Sequence, residues 1–195
     1  MTKEKLLKIF QAAKVNRRTS LALGDNKIQE LPPEIGELAS LMDLDMSRNE
    51  LETLPSEINN LKKLKRLGLN YQNFTSFPVA ICSLKKLGEL YLRGNKLTAV
   101  PPEIGNLKNL TGLDLRGNRI THLPKEIIQL KHLKLLFLDG NPLVEPPLEI
   151  VVKGKDAIFS YFHTKYTNTT NIQPSQPNSL NTQSLHNVTL YTKQR

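Results

Sequence analysis

A 23-residue period constrains this chain more than any other feature, because it runs through six consecutive units without an insertion. Five units place an asparagine at one phase of the period, and the third unit places a glutamine there. These ladder positions are Asn26, Asn49, Gln72, Asn95, Asn118 and Asn141. A single unit of this length cannot bury its own leucines, so the units must stack side by side to build a common core.

The unit consensus reads L-x-x-L-x-L-x-x-N-x-L-x-x-L-P-x-E-I-x-x-L-x-x. Leucines at alternate positions before the ladder asparagine predict a short strand with one buried face. The asparagine amide both donates and accepts hydrogen bonds, so it can satisfy backbone groups where the strand turns. The proline fixes φ and removes a donor, which favours an irregular or short helical return on the opposite side.

This consensus resembles the leucine-rich repeat, in the 23-residue form of intracellular Ras-group-related repeat proteins and of the repeat domain of bacterial Roco proteins. The resemblance covers about residues 17–162. It implies an α/β solenoid, a right-handed arc with parallel strands on the concave face, short helical or irregular returns on the convex face, and helical caps at both ends. Roco-type repeats usually lead into a Ras-like GTPase domain, whereas this chain leads into a polar tail. Many activities share the scaffold, so the resemblance specifies function only weakly.

Four segments follow from this pattern. Residues 1–16 place Leu6, Phe10 and Ala13 at helical spacing, which predicts a helix that caps the first repeat; a membrane-surface helix is the alternative. Six repeats occupy residues 17–147, and residues 148–162 are predicted to form the second cap. Residues 163–195 are rich in Ser, Thr, Asn and Gln and contain no acid, so we expect them to be disordered.

The charge pattern argues against a nucleic-acid partner. The formal net charge is +9, but residues 1–19 hold six Lys/Arg and one acid, and residues 163–195 hold three Lys/Arg and no acid. The basic residues therefore concentrate at the ends, where solvated termini are the simpler interpretation. Without an apolar run of membrane-spanning length or a secretory signal, the sequence predicts a cytoplasmic protein, which we expect to be a monomer.

No pattern in the chain predicts catalysis or a cofactor. A phosphate-binding loop is absent, since the sequence Gly154–Asp156 lacks the upstream glycine and the hydroxyl that a nucleotide site needs. The four histidines are scattered, and Cys82 is the only cysteine. Cys82 occupies a return-loop phase, so we interpret it as a packing residue and not a nucleophile. We expect a protein that is not an enzyme and has no cofactor or metal.

A predicted binding patch lies on the concave face, where side chains between the buried leucines point. Tyrosine and arginine, which concentrate binding energy at interfaces, recur there in the third to fifth units. The predicted patch comprises Arg66, Tyr71, Glu89, Tyr91, Arg93, Asp114, Arg116, Phe137 and Asp139. It indicates a non-enzymatic protein-protein interaction module; by resemblance, the partner class includes small GTPases and signalling proteins. The alternatives are a stand-alone relic or regulatory partner of a Roco-type GTPase, and an effector delivered into another cell.

Two further features of the repeat carry expectations. Gln72 replaces an asparagine in a unit that also carries Phe74 and Phe77, which predicts a locally loosened hydrogen-bond pattern and a repacked core rather than a functional site. Five glutamates share one phase of the repeat and four lysines share another, and they could face each other. We expect both stripes to be solvated surfaces. The glutamates are Glu34, Glu57, Glu103, Glu126 and Glu149, and the lysines are Lys62, Lys85, Lys108 and Lys131.

Overall fold

The computed structural model describes residues 1–167, so most of the tail expected to be disordered lies outside the described residues. Six strands of three residues form one open parallel sheet in chain order, which confirms the predicted solenoid. The strands are β1 (Ser20–Ala22), β2 (Asp43–Asp45), β3 (Arg66–Gly68), β4 (Glu89–Tyr91), β5 (Gly112–Asp114) and β6 (Leu135–Phe137). Each central leucine pairs with the central leucine of the next strand, for example Leu21 with Leu44.

Short 3₁₀ helices return the chain along the convex side. Each begins directly after the proline of the repeat, whose fixed φ suits the residue that precedes a helical turn. The five helices are η1 (Pro33–Glu37), η2 (Ser56–Asn60), η3 (Val79–Ser83), η4 (Pro102–Asn106) and η5 (Lys125–Gln129). The isoleucine of each helix is completely buried, so it anchors the return against the leucines of the strands.

Helices close both ends of the core. Helix α1 (Lys3–Val15) is capped by Thr2, whose hydroxyl accepts a hydrogen bond from the Lys5 N–H at 3.3 Å. It buries Leu6, Phe10 and Ala13. At the other end, α2 (Leu148–Val151) leads into α3 (Lys155–Thr167), which buries Ile158 and Phe162.

Helix α3 extends beyond Phe162, so the expectation of disorder from residue 163 onward is wrong for residues 163–167. The Tyr166 ring stacks on the Phe162 ring with centroids 6.1 Å apart. Lys165 donates a hydrogen bond to the Glu145 carboxylate at 2.6 Å. The contacts with Phe162 and Glu145 stabilise one more turn of the helix, which the polar composition of this segment does not predict.

The ladder side chains form a column of amides, which are buried from the second to the fifth unit and half-buried at Asn26 and Asn141. Asn118 shows the pattern: its Oδ1 accepts from the Leu97 N–H at 3.1 Å, and its Nδ2 donates to the Leu92 and Leu115 carbonyls at 2.9 Å each. One of these carbonyls belongs to its own unit and the other to the preceding unit. Asn49, Asn95, Asn118 and Asn141 each tie two units together in this way. The Leu92 and Leu115 carbonyls each accept from the amides of two successive units.

Gln72 reproduces only part of this pattern. Its Oε1 accepts from the Leu51 N–H at 3.0 Å, and its Nε2 donates to the Met46 carbonyl at 2.6 Å, so both bonds to the preceding unit are kept. The bond to its own unit is replaced by a contact of 3.5 Å with the Asn70 carbonyl. The extra methylene thus costs one good hydrogen bond.

We predict that Gln72→Asn raises the free energy of unfolding by up to about 1 kcal/mol, because asparagine can restore the bond to the Leu69 carbonyl. Urea denaturation of the purified variants would measure the change. A loss of stability would show that the Phe74 unit is packed around the longer glutamine side chain.

Cys82 is buried, with 3% of its surface exposed. Burial raises the pKa of its thiol from 9.0 to about 12. Between these values the unfolded chain loses the thiol proton while the native chain keeps it, so the unfolded state binds fewer protons and stability falls as the pH rises.

We therefore predict that wild type loses more stability than Cys82→Ala between pH 8 and pH 10.5, by at most about 1.4 kcal/mol per pH unit. Urea denaturation of both proteins at each pH would measure this difference. Parallel pH profiles would mean that the thiol ionises equally in the native protein.

Candidate protein-binding face

The concave face is built from the first and third residues of each strand, since the central leucine points into the core. β1 offers only Ser20 and Ala22, whereas the last strand offers Leu135 and Phe137. Leu135 is 55% exposed. The face therefore changes along the stack from small and polar, through charged and aromatic, to apolar.

A first cluster joins β2, β3 and β4 around Arg66. Its guanidinium lies 3.4 Å from the Asp43 carboxylate, 3.5 Å from the Glu89 carboxylate and 5.2 Å from the centre of the Tyr91 ring. Tyr91 Oη donates to Glu89 at 2.7 Å. Burial and this bond raise the pKa of the Tyr91 hydroxyl. Burial lowers the pKa of Arg66, but hydrogen bonding and charge from Tyr91 and Asp43 outweigh it and raise the pKa overall.

A second cluster joins β5 and β6 around Arg116. Its Nε and Nη2 donate to the two oxygens of Asp114 at 3.0 and 2.6 Å, a bidentate pair. The Arg116 backbone N–H donates to Asp114 as well, at 3.1 Å. The guanidinium lies 4.7 Å from the centre of the Phe137 ring. The hydrogen bond to Asp114 raises the pKa of Arg116, so this buried carboxylate has a permanent cation beside it.

Between the two clusters lies a depression of about 270 Å³, which we call the notch. It arises at Gly112, which has no side chain between its larger neighbours on β4 and β6. The notch is lined by Glu89, Tyr91, Thr111, Gly112, Leu113, Asp114, Lys134, Leu135 and Phe137. A Cβ atom on Gly112 would contact only Glu89 Cγ, at 3.7 Å, so the backbone tolerates a side chain there.

A third cluster lies where the strands end, around Tyr71. Its ring is flanked by the guanidiniums of Arg48 and Arg93, at 5.4 and 5.8 Å from the ring centre. Tyr71 adopts a left-handed backbone with φ of 54°. The residue before each ladder position does so in all six units: Asp25, Arg48, Tyr71, Gly94, Gly117 and Gly140. In the last three units the residue is glycine, which favours this conformation, so the sequence predicts it there. In the first three units the residue has a side chain, so the sequence alone does not predict it.

Gly94 lies directly against Tyr71, which provides a test of this cluster. A Cβ on Gly94 would come within 2.4 Å of Tyr71 Cδ1, whereas a Cβ on Gly117 would meet its nearest atom at 3.7 Å. Both glycines have positive φ.

We predict that Gly94→Ala costs about 2–3 kcal/mol of stability and Gly117→Ala about 1 kcal/mol, because only the former adds a clash to the backbone strain. Urea denaturation would measure both. In a Tyr71→Ala background the two costs should become equal; a persistent difference would locate the clash elsewhere.

The structure groups the sequence-predicted residues into these clusters. Glu89, Tyr91, Asp114 and Phe137 line the notch, and Arg66 and Arg116 hold its walls. Tyr71 and Arg93 lie apart at the strand ends, and Asp139 is exposed near Arg116, whose pKa its charge helps to raise. Sequence reasoning did not select Gly112, Lys134 or Arg48, whereas the pattern already marks Leu135 as an apolar residue on this face. The sequence feature that could have indicated the notch is Gly112, a residue without a side chain whose strand neighbours are the larger Glu89 and Leu135.

Within residues 1–167, no group of three or more His, Cys, Asp or Glu side chains is placed to hold a metal ion. None of the described helices combines the length and hydrophobicity needed to span a bilayer. The face instead offers aromatic rings and charged groups already held in place by neighbours.

Comparison with known proteins identifies the repeats. A leucine-rich repeat region model matches residues 17–93, and a leucine rich repeat model matches residues 85–143. A leucine-rich-repeat protein of Leptospira interrogans is 38% identical, with a TM-score of 0.59, over 73% of this chain and 41% of that protein. The ectodomain of the receptor kinase SOBIR1 from Arabidopsis thaliana is 30% identical, with a TM-score of 0.55, over 63% of this chain and 70% of the ectodomain.

A plant peptide hormone receptor, RGFR1, solved in complex with RGF2, is 31% identical with a TM-score of 0.58, over 64% of this chain and 21% of the receptor. A search of curated protein sequences gives no match. The chain belongs to the leucine-rich-repeat family, whose repeat domains are scaffolds for protein-protein interaction. It spans less than half the length of the Leptospira protein and of RGFR1.

Proposed function

We propose that this protein is a non-enzymatic module that binds an extended segment of a partner protein along its concave face, with one partner side chain in the notch at Gly112. The notch is the observation that carries this proposal. It is a depression between the aromatic side chains of Tyr91 and Phe137, and it lies within the face where strand residues of six repeats converge. Concave, mostly apolar sites with a few fixed polar groups are the usual form of a binding pocket.

The walls of the notch are preorganised. Tyr91 is held by its bond to Glu89 and by Arg66, and Phe137 lies under Arg116, which is fixed by Asp114. A partner would therefore lose little free energy by ordering these side chains, and fixed aromatic and arginine groups are typical of residues that dominate binding. Leu135, more than half exposed, extends the apolar surface beyond the notch.

The walls also define the partner side chain. The aromatic and leucine surfaces favour an apolar or aromatic group, and Lys134 and Glu89 at the notch can pair with polar groups beside it. The complex of RGFR1 with RGF2 supports a peptide-like segment as the ligand. We further propose a partner of the small-GTPase or signalling class, a cytoplasmic location and a monomeric state. A role beside a Roco-type GTPase and delivery into another cell are the competing proposals.

Affinity capture from source cells, with identification by mass spectrometry, tests the proposal. The variant Tyr91→Ala, Arg93→Glu removes two residues of the face, and Tyr166→Ala, Arg119→Glu makes the same two changes outside it. Circular dichroism confirms that both fold. We expect a partner that wild type and the control retain and the face variant loses. A partner captured equally by all three proteins would show that the concave face does not bind it.

A further inference from the structure

A second surface, which meets the concave face at Lys134, arises where the returns lead into strands β3 to β6. Each of these loops follows the pattern leucine, lysine, variable, leucine, variable (residues 61–65, 84–88, 107–111 and 130–134). The two leucines of each loop are at most 3% exposed. They anchor the loop in the core and leave the intervening side chains in solvent. The exposed lysines form what we call the lysine edge: Lys62, Lys63, Lys65, Lys85, Lys86, Lys108, Lys131 and Lys134.

Backbone hydrogen bonds stack these loops into one continuous surface. The Gly88 N–H donates to the Lys65 carbonyl at 2.8 Å, the Thr111 N–H to the Gly88 carbonyl at 2.7 Å, and the Lys134 N–H to the Thr111 carbonyl at 2.8 Å. Successive loops are therefore spaced like the strands, about 4.8 Å apart. The lysines of four repeats lie side by side along one flank of the solenoid.

The charge of this flank is not compensated. The four loops contain no Asp or Glu, and no ion pair of residues 1–167 involves a lysine of the edge. The possible pairing with the glutamate stripe does not form in this part of the chain. Lys108 Nζ donates to the Gln129 amide oxygen at 2.8 Å, a neutral partner. Like charges stacked at this spacing repel each other, and an anionic surface would relieve that repulsion.

We propose that the lysine edge docks on a bilayer rich in anionic headgroups. Clusters of four to eight basic residues are typical of such contacts. The loops carry lysine without arginine, tyrosine or phenylalanine, and His132 is their only aromatic side chain, so they offer little of the stacking with which proteins hold single-stranded nucleic acids. Lysine is a flexible point charge that can follow mobile headgroups without a fixed geometry. Because most of the edge lies on the flank, docking would leave the notch open, and this inference does not depend on the proposed function.

Vesicle sedimentation tests the inference. Wild type is mixed at 0.1 M salt with vesicles of phosphatidylcholine alone, or of phosphatidylcholine with 30% phosphatidylserine. The edge variant is Lys62→Glu, Lys85→Glu, Lys86→Glu. The control, Lys27→Glu, Lys96→Glu, Lys153→Glu, has the same net charge with changes at exposed lysines outside the edge. We expect wild type to bind only the anionic vesicles, and the edge variant to lose at least about a hundredfold in partitioning, from about 1 kcal/mol per lysine.

The control should keep most of the binding. Equal losses in the two variants would assign the effect to net charge and overturn the inference. So would binding of wild type to neutral vesicles, or no binding to either kind. Tighter binding to a DNA duplex than to the anionic vesicles at the same salt concentration would assign the edge to nucleic acid. Circular dichroism of each variant confirms the fold before the vesicle measurement.

Discussion

Replacing Asn118 by alanine should lower the free energy of unfolding by about 2–4 kcal/mol, because the change leaves the buried Leu97 N–H without a partner and removes one of the two amide donors from each of the Leu92 and Leu115 carbonyls. The side chain now satisfies the Leu97 N–H and the Leu92 and Leu115 carbonyls. Asn118 is only 5% exposed, so water can replace these bonds only if the stack opens. Urea denaturation followed by circular dichroism would measure the loss.

The same substitution at Asn26 provides the control. Asn26 occupies the ladder position of the first unit, is only half-buried, and its amide donates to the Gly24 carbonyl at 2.6 Å. Asn26→Ala should therefore cost less than about 1 kcal/mol. Equal costs at both positions would mean that ladder asparagines stabilise turns locally and do not link the units.

Replacing Phe162 by alanine should cost about 3–5 kcal/mol, since this completely buried ring anchors α3 on the last repeat. Phe162 packs edge-on against Tyr161, at a centroid distance of 5.3 Å, and stacks with Tyr166. In a solenoid each unit is stabilised mainly by its neighbours, so loss of the cap should weaken the last repeat first. Hydrogen exchange should show protection lost in β6 before β3.

Phe159→Ala is the matched control for the cap. Phe159 belongs to the same helix but is only partly buried, at the edge of the core. Phe159→Ala should lower the free energy of unfolding by no more than about half as much as Phe162→Ala does. A uniform loss of protection across all six strands in Phe162→Ala would show that the repeats unfold as one unit and that the end cap has no local role.

The sequence predicts the strands well because each depends on a local rule that repeats. Alternating leucines before the ladder position bury one face wherever they occur, so β1 to β6 lie where the period placed them. The end of α3 could not be predicted in the same way. Its last turn depends on contacts of Tyr166 and Lys165 with Phe162 and Glu145, which are distant in sequence or lie outside the repeat pattern.

The sequence predicts that the candidate site lies on the concave face, but it does not predict the notch or the Tyr71 cluster. Strand alternation places Tyr91, Asp114 and Phe137 on the concave side, as the pattern indicates. The notch itself exists because Gly112 is small while its strand neighbours are large, and a missing side chain does not stand out as a functional residue. The Tyr71 cluster depends on a left-handed backbone that tyrosine rarely adopts, so no local preference of the sequence predicts it.

The central claim is that the notch at Gly112 receives a side chain of the partner, and filling the notch tests it most directly. Gly112→Val adds volume at a position where the backbone tolerates a side chain. Ser20→Val changes the same strand position in the first repeat, outside the notch. Isothermal titration of each protein with the captured partner should show at least a tenfold weaker affinity for Gly112→Val and an unchanged affinity for Ser20→Val. Wild-type affinity in the Gly112→Val variant would contradict the claim.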